Sequence, residues 1–438
     1  MKGNPPIVTP RSAIDPYPKS YYVASAKALQ PAAPLREDRR VDVCIVGGGF
    51  TGVATALHLA ERGYKACVVE AQRLGWGASG RNGGQLSGGQ RIDPEAMAAI
   101  VGAERARLLW DLGEEAKKLV KQRIAQHAID CDLKPGIIGA GCKPGDAAEM
   151  QDHARHLRDD YGYTAIRPLD RAELRALVAS DRYHGGYLDS DAAHLHPLNY
   201  LLGLAAASRA AGAEFYEMTP AVKIVHSGGR PVVHTPQGKV TADHVVLACN
   251  GHLGGLEPRI ASAIMPINNF VIATAPLGAE RARGLIANDA AVADSKYVID
   301  YYRLTADGRL LFGGGESYRQ TYPKDIAGLV RRCMLKVFPQ LADVAIDYAW
   351  GGKVAITLNR LPAFGRLDGD VFYAMGFSGQ GVALTTLAGK LIAEAVAGQA
   401  ERFDLMAEIP TPRFPGGTLL RWPSLVAGML YYSLKDKL

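Results

Sequence analysis

Three glycines, Gly47, Gly49 and Gly52, stand as G-x-G-x-x-G, and the acid Glu70 follows them. This spacing suits a bound dinucleotide. Gly47 permits a tight turn, Gly49 lets the backbone approach a pyrophosphate, and Gly52 lets a helix pack closely on a strand. Phe50 and Thr51 lie inside the turn and open the helix, whose unpaired N–H groups and positive dipole end suit a phosphate. Glu70 falls where a carboxylate reads a ribose 2′-hydroxyl, and an acid there argues against the 2′-phosphate of NADP. A second glycine-rich stretch, Arg73–Gln85 (RLGWGASGRNGGQ), offers backbone N–H donors together with Ser79, Arg81, Asn82 and Gln85. A loop of that composition wraps a pyrophosphate and an isoalloxazine edge, which selects a flavin dinucleotide over NAD. The third glycine-rich turn, GFSGQG at Gly376–Gly381, again follows a strand and opens a helix. A helix N-terminus aimed at the flavin C2 carbonyl would stabilise the anionic reduced ring.

The elements that must hold these turns are readable from hydrophobic period. Val41–Val46 is a short apolar, β-branched run expected as a buried parallel strand. A helix is expected from about Thr51 to Arg62, closed by Gly63, with a second strand over Ala66–Val69. Asp243–Cys249 reads as another buried strand ending at Asn250-Gly251, preceded by short strands at Ala221–His226, Pro231–Thr235 and Lys239–Thr241. Val371–Met375 and the helix Val382–Ala397 complete a second strand–glycine–helix unit. Helices are expected across Pro94–Gln126, His153–Arg158, Arg171–Val178 and Pro197–Ala211, with Asp170 and Glu173 forming a capping box. Residues 264–350 alternate, with strands at Lys296–Leu304 and Arg309–Gly313, as an antiparallel sheet would.

The expected fold is therefore α/β: a Rossmann-like, discontinuous FAD-binding domain with an inserted α+β substrate domain on an antiparallel sheet. The division expected is an irregular N-terminal arm at 1–40, an FAD-binding domain from 41–90, 182–258 and 354–402, a substrate domain from 91–181 and 259–353, and a C-terminal extension at 403–438. Within the extension, Pro423–Leu434 reads as a short apolar helix packed on the body or another subunit, with peripheral membrane contact as the alternative.

The chain has 438 residues, 48% hydrophobic and 21% charged, with a formal net charge of +6. These values fit a globular protein of two or three domains. Lys and Arg are spread along the chain, which gives nucleic-acid binding little support. No apolar run reaches membrane-spanning length, and the N-terminus lacks the apolar centre of a signal peptide. The six cysteines form no CxxC pair; Cys44, Cys67 and Cys249 fall in expected strands, as reduced thiols of a cytoplasmic protein do. No HExxH, compact Cys/His set or GxSxG elbow is present, so neither a metal site nor a serine hydrolase is expected.

GGGFTG, EAQRLGWGASGRNGGQ, LACNG and GFSGQGVALTTLAGKLIAEAV together resemble the D-amino-acid/sarcosine oxidase class of FAD-dependent oxidoreductases. SYYVASA (Ser20–Ala26), DYYRL (Asp300–Leu304), LFGGGESY (Leu311–Tyr318) and the tail from Phe414 to Asp436 bring the resemblance closest to the bacterial γ-glutamylputrescine oxidase subfamily. The resemblance implies FAD on one domain and an amine site above the flavin. It also implies hydride transfer from the amine carbon, hydrolysis of the imine to an aldehyde with loss of ammonia, and reoxidation by oxygen to hydrogen peroxide. FAD contacts are carried onto Gly47, Gly49, Phe50, Thr51, Gly52, Glu70, Ala71, Gly77, Ala78, Ser79, Arg81, Asn82, Gly83, Gly84, Gln85, Val222, Gly251, Gly376, Ser378, Gly379, Gln380, Gly381 and Val382. Sarcosine oxidases carry a flavin-linked cysteine, and Gly351–Pro362 has none, so FAD is expected to be non-covalent. Their carboxylate-holding lysine is replaced around Ala383, which favours a primary amine without an adjacent carboxylate.

An amine must be neutral to donate hydride, and a dry aromatic site lowers its pKa by desolvation. Tyr301, Tyr302 and Trp350 are the candidate walls. Lys353 is the candidate for placing positive charge near the flavin to assist oxygen. Arg303 is the candidate receiver of a distal γ-glutamyl carboxylate. The function expected is oxidation of γ-glutamylputrescine or a related γ-glutamylated amine in polyamine catabolism. The other readings are an amino-acid or N-methyl-amino-acid dehydrogenase passing electrons to a carrier, and a flavin-binding subunit of a larger complex.

Overall fold

The structure, a computed structural model, describes residues 17–227, 229–316, 321–418, 420–423 and 426. Two sheets carry the molecule. The first has eight strands, with the run Ala363–Leu367, Val371–Met375, Lys239–Leu247, Arg39–Val46, Ala66–Val69 and Glu214–Tyr216 side by side. Its central strands are parallel: Arg39–Val46 lies between Lys239–Leu247 and Ala66–Val69. These strands read as nearly unbroken apolar runs because both faces are covered, as parallel sheets require. Helices Phe50–Ala60 and Gly381–Val396 cover one face and cross at Gly389, where a Cβ would lie 2.5 Å from the Thr55 nitrogen. Only glycine permits that approach.

The second sheet has nine strands. Its order is Ile346–Ile356, Met265–Thr274, Leu310–Glu316, Tyr301–Leu304, Ala291–Asp294, Lys134–Ala140, Gly186–His194 and Gln85–Leu86, with Ile166–Leu169 beside Gly186–His194. The pairings are antiparallel except between Ala291–Asp294 and Lys134–Ala140, which run parallel. The sheet is thus antiparallel, as expected, apart from that one pair. Gly186–His194 and Gln85–Leu86 join this second sheet, although the expected division assigned both to the nucleotide-binding side.

Other departures have local causes. The helix expected over Pro94–Gln126 is two, Pro94–Val101 and Ala103–Gln126, broken at Gly102 with φ of 87°. Lys239–Thr241 and Asp243–Cys249 fuse into one strand, Lys239–Leu247, which lies parallel to Arg39–Val46 from Val240 to Leu247 and whose first residues also pair with Arg230–His234. The capping box at Asp170 and Glu173 is present. The arm is not wholly irregular. Ser20 caps a short helix, Tyr21–Ala24, and both Tyr21 and Tyr22 are buried in the main core. The segment Pro423–Leu434 lies almost entirely outside the described residues. No helix among the described residues is long and apolar enough to cross a membrane.

Candidate active site

The three glycine-rich turns converge at the carboxyl ends of the parallel strands, where open α/β sheets hold their ligands. Gly47 has φ of 113°, and a Cβ there would lie 2.8 Å from the Ala248 carbonyl oxygen. A Cβ on Gly52 would lie 1.9 Å from the Gly47 oxygen. Close strand–helix packing therefore requires both glycines. No side chain caps the helix at Gly49; the Phe50 N–H alone donates to Ser79 Oγ, at 3.0 Å. The Gly376 N–H donates to Asn250 Oδ1 at 3.0 Å, and Asn250 adopts φ of 45°, so the turns after Leu247 and Met375 are tied together.

The side chains expected to contact FAD mostly knit this cradle from within. Asn82 Nδ2 donates to the Ala78 and Ser79 carbonyls, and its Oδ1 accepts from the Gly84 N–H. Arg81 donates to the Trp76 and Gly351 carbonyls and stacks over the Trp76 ring at 4.3 Å. Gln85 Nε2 donates to the Val292 carbonyl in the second sheet. Gln380 Nε2 donates to Ser87 Oγ and the Gly88 carbonyl. Ser378, at φ of 50°, donates through its hydroxyl to the Gly376 carbonyl and accepts from the Thr357 N–H. The Phe50, Thr51 and Val382 side chains are buried, so these positions offer a ligand their backbone. Gly77, Gly83, Gly84, Gly379 and Gly381 have no side chain to place in the way.

Glu70 supplies the acid. Its carboxylate accepts from the Gly48 N–H at 2.6 Å and the Gln72 N–H at 2.9 Å. Burial raises its pKa, and the Gly48, Gln72 and Ala71 N–H groups oppose that rise. A carboxylate has about four acceptor positions, so two N–H donors leave room for a ribose hydroxyl. Val222 follows Thr219, whose N–H donates to the Glu70 carbonyl; Val222 itself is exposed and its N–H donates to the His234 carbonyl. Gly251 lies against the second sheet, where a Cβ would be 3.6 Å from Lys353 Cβ. The donors and the glycine-lined space fit a flavin dinucleotide.

The amine-side residues separate by strand alternation. Tyr301 faces the cradle. Its ring lies so close to Gly83 and Gly313 that a Cβ on either would fall 2.5 or 2.0 Å from it, and its hydroxyl donates to Asn269 Oδ1 at 2.6 Å. Tyr302 points to the opposite face, stacked on Phe312 and donating to the Tyr183 hydroxyl. Its expected role as a wall is corrected: it is core. Trp350 is buried, and its Nε1 donates to the Arg81 carbonyl at 3.0 Å, so it braces the cradle. Arg303 is also corrected. It donates through Nε to the Gly83 carbonyl at 2.9 Å and through its other nitrogens to the Leu304 carbonyl and the Tyr22 hydroxyl. A guanidinium held this way, 2% exposed, is a brace and not a receiver of substrate carboxylate.

Lys353 is half-buried and its ammonium has no hydrogen-bond or ion-pair partner among the described residues. It lies near His252, whose pKa is pushed down to about 4 by burial and then by the charges of Lys353 and Arg81. Sequence reasoning missed His252 and Trp76, whose rings meet edge-on at 5.4 Å beside Gly77. It also missed Asn269 under Tyr301, and Tyr22 under Arg303. The SYY signal was visible, but nothing local says that an N-terminal tyrosine reaches a residue in the second sheet.

The sequence model of the FAD-dependent oxidoreductase family DAO matches residues 42–395. This chain belongs to the DAO family of FAD-dependent oxidoreductases. Membership makes it an FAD-dependent enzyme, and the family's cofactor is the one the cradle fits. The chain is 44% identical to gamma-glutamylputrescine oxidoreductase of Escherichia coli K12 over 96% of this chain and 98% of that protein. It is 39% identical to the probable oxidoreductase OrdL of Rhizobium meliloti, over 95% of this chain and 97% of that one. Among solved structures it resembles glycine oxidase from Geobacillus kaustophilus, with a TM-score of 0.71 and 22% identity over 86% of this chain and 100% of that one. It also resembles L-proline dehydrogenase from P. horikoshii, with a TM-score of 0.69 and 20% identity over 85% of this chain and 96% of that one. At these identities the solved structures speak for the DAO fold.

Proposed function

We propose that this enzyme oxidises the primary amine of γ-glutamylputrescine, or of a closely related γ-glutamylated amine, to the aldehyde, releasing ammonia and hydrogen peroxide. The observation that carries this reading is the 44% identity, over nearly the full length of both chains, to a protein named for that substrate. Held by the cradle residues, FAD would supply the two-electron acceptor for the amine carbon and the route for those electrons to oxygen. The chain's own residues supply position and electrostatics.

In this reading the Gly47–Gly52 turn and Glu70 hold the dinucleotide, and the 77–85 and 376–381 turns frame the flavin without a covalent link. Tyr301 forms one wall of the amine site and keeps it dry, which favours the neutral amine needed for hydride loss. Its phenol is itself kept protonated, because burial raises its pKa. Lys353, a half-buried ammonium with no partner among the described residues, supplies positive charge beside the flavin, where negative charge develops on reduction.

The test is anaerobic mixing of purified enzyme with γ-glutamylputrescine, followed by admission of air. Bleaching of the flavin absorbance, then stoichiometric peroxide, supports the reading. Bleaching without peroxide, with turnover only on an added dye, would replace the oxidase with a dehydrogenase. No bleaching by any γ-glutamylated amine, but ready bleaching by sarcosine, would replace the substrate.

A further inference from the structure

With Arg303 committed to the cradle, the far end of a γ-glutamylated substrate lacks its expected partner. Two other guanidiniums meet the requirement. Arg91 and Arg360 come from distant segments, and both segments brace the same residue of the GFSGQG turn. Arg91 Nε donates to the Ser378 carbonyl at 3.1 Å. Thr357, whose carbonyl accepts from the Arg360 N–H, donates its own N–H to Ser378 Oγ at 3.3 Å. Arg360 adopts φ of 64°, donates to the Tyr297 hydroxyl at 2.5 Å and lies over the Tyr297 ring at 5.3 Å. Left-handed backbone is disfavoured for an arginine, so the turn fixes where this side chain emerges.

Both arginines are half-buried, yet neither pairs with a carboxylate among the described residues. Burial, and then the charge of Arg360, lower the Arg91 pKa. Asp93 is the acid that acts on Arg91, but it lies beyond ion-pair distance and turns to His153 at 3.7 Å. Two neighbouring guanidiniums, partly out of water and with no ion-paired carboxylate among the described residues, are an unbalanced arrangement. Other buried or half-buried arginines are satisfied within the fold, by acids as Arg123 is by Glu61 and Arg309 by Asp307 and Asp347, or by carbonyls and a hydroxyl as Arg303 is. A carboxylate brought by the substrate would remove the repulsion and gain planar, charge-assisted hydrogen bonds.

We propose that Arg91 and Arg360 form an anion subsite at the rim of the flavin turn, and that it receives the carboxylate at the glutamyl end of the substrate. This rests on the γ-glutamylated-amine reading above, and it makes both arginines specificity residues remote from the reacting carbon.

The test compares wild type with Arg360→Gln, Arg360→Lys and Arg91→Gln at equal flavin content. The substrates are γ-glutamylputrescine and N-butyrylputrescine, which has an acyl chain but no carboxylate. The expected result is a rise in KM for γ-glutamylputrescine of about 10- to 100-fold in Arg360→Gln, with kcat within about 2-fold and partial recovery in Arg360→Lys. KM for N-butyrylputrescine should not move. An equal change for both substrates, or none for γ-glutamylputrescine, overturns the subsite. Titration with glutarate, read by perturbation of the flavin spectrum, separates this idea from the function it rests on. If wild type fails to oxidise γ-glutamylputrescine yet binds glutarate, and Arg360→Gln does not, the substrate reading falls and the subsite stands. If wild type oxidises γ-glutamylputrescine and neither glutarate binding nor KM depends on the arginines, the subsite falls and the substrate reading stands.

Discussion

The dinucleotide cradle and the amine face meet across the 77–85 loop, and they are built on opposite terms. In the cradle nearly every polar side chain has a protein partner: Asn82 closes its own loop, Gln380 reaches Ser87, and Glu70 collects backbone N–H groups. What the cradle offers a ligand is backbone and space. On the amine face the reverse holds. Lys353, Arg91 and Arg360 carry charge with no ion-paired carboxylate among the described residues. A cofactor suits a satisfied frame, whereas under the proposed subsite a substrate that comes and goes would supply the missing partner each time.

That contrast can be broken at several points. The largest effect is expected at Gly52, where a methyl group would collide with the Gly47 oxygen at 1.9 Å. Gly52→Ala should reduce flavin content roughly tenfold or more, as an absorbance ratio of flavin to protein will report, because helix and strand can no longer close on the dinucleotide. Glu70→Gln removes a charged acceptor from two N–H donors and from the ribose. Such bonds contribute about 1.5–3 kcal/mol each, so FAD should bind roughly 10- to 100-fold more weakly by fluorescence titration. If Glu70→Gln bound FAD as tightly as wild type, the acid would be a structural brace of the turn.

Adjacent tyrosines sharpen the comparison further. Tyr301→Phe removes the hydroxyl on Asn269, and kcat/KM should fall about tenfold with flavin content unchanged. Tyr302→Phe, on the other side of the strand, should leave kcat/KM alone and cost about 1 kcal/mol of stability through the lost bond to Tyr183. Equal kinetic effects from the two would contradict the assignment of faces.

The smallest effect concerns pH. His194 and His196 are buried, and burial, then Arg303, hold their pKa values down to about 3. Between that value and the ordinary histidine range near 6.5, the unfolded chain binds protons that the fold does not. Their contribution is therefore complete above about pH 6.5 and is lost as pH falls toward 3, at up to about 1.4 kcal/mol per pH unit for each. His196 caps the helix Pro197–Ala210, and asparagine can keep that cap. Thermal melts of His196→Asn should lose stability with acidification less steeply than wild type.

The same contrast explains what could be read from the chain alone. The cradle was legible because each of its demands is local. Gly47, Gly49, Gly52 and Glu70 must stand at fixed spacing around one strand–helix–strand unit, and Gly376–Gly381 repeats the pattern. The amine face was not, because its members come from four segments that only the folded sheets bring together. Alternation along Tyr301–Leu304 put Tyr301 on one side and Tyr302 on the other, and the sequence period alone does not say which side holds the flavin. Arg303 looked like a ligand for carboxylate until the Gly83 carbonyl and the Tyr22 hydroxyl occupied it. Arg91 and Arg360 carried no motif; their signal is that neither is ion-paired with a carboxylate among the described residues, which only the folded chain reveals.

The central claim is that this enzyme selects an amine by the charged acyl group at its far end. The most direct measurement is kcat/KM, by peroxide formation, for γ-glutamylputrescine against free putrescine and sarcosine under identical conditions. A preference for γ-glutamylputrescine of about a hundredfold or more is expected, since putrescine has no carboxylate and sarcosine carries its carboxylate next to the reacting amine, not at a far end that the arginine pair could receive. Comparable values for γ-glutamylputrescine and putrescine, or sarcosine as the best of the three, would contradict it.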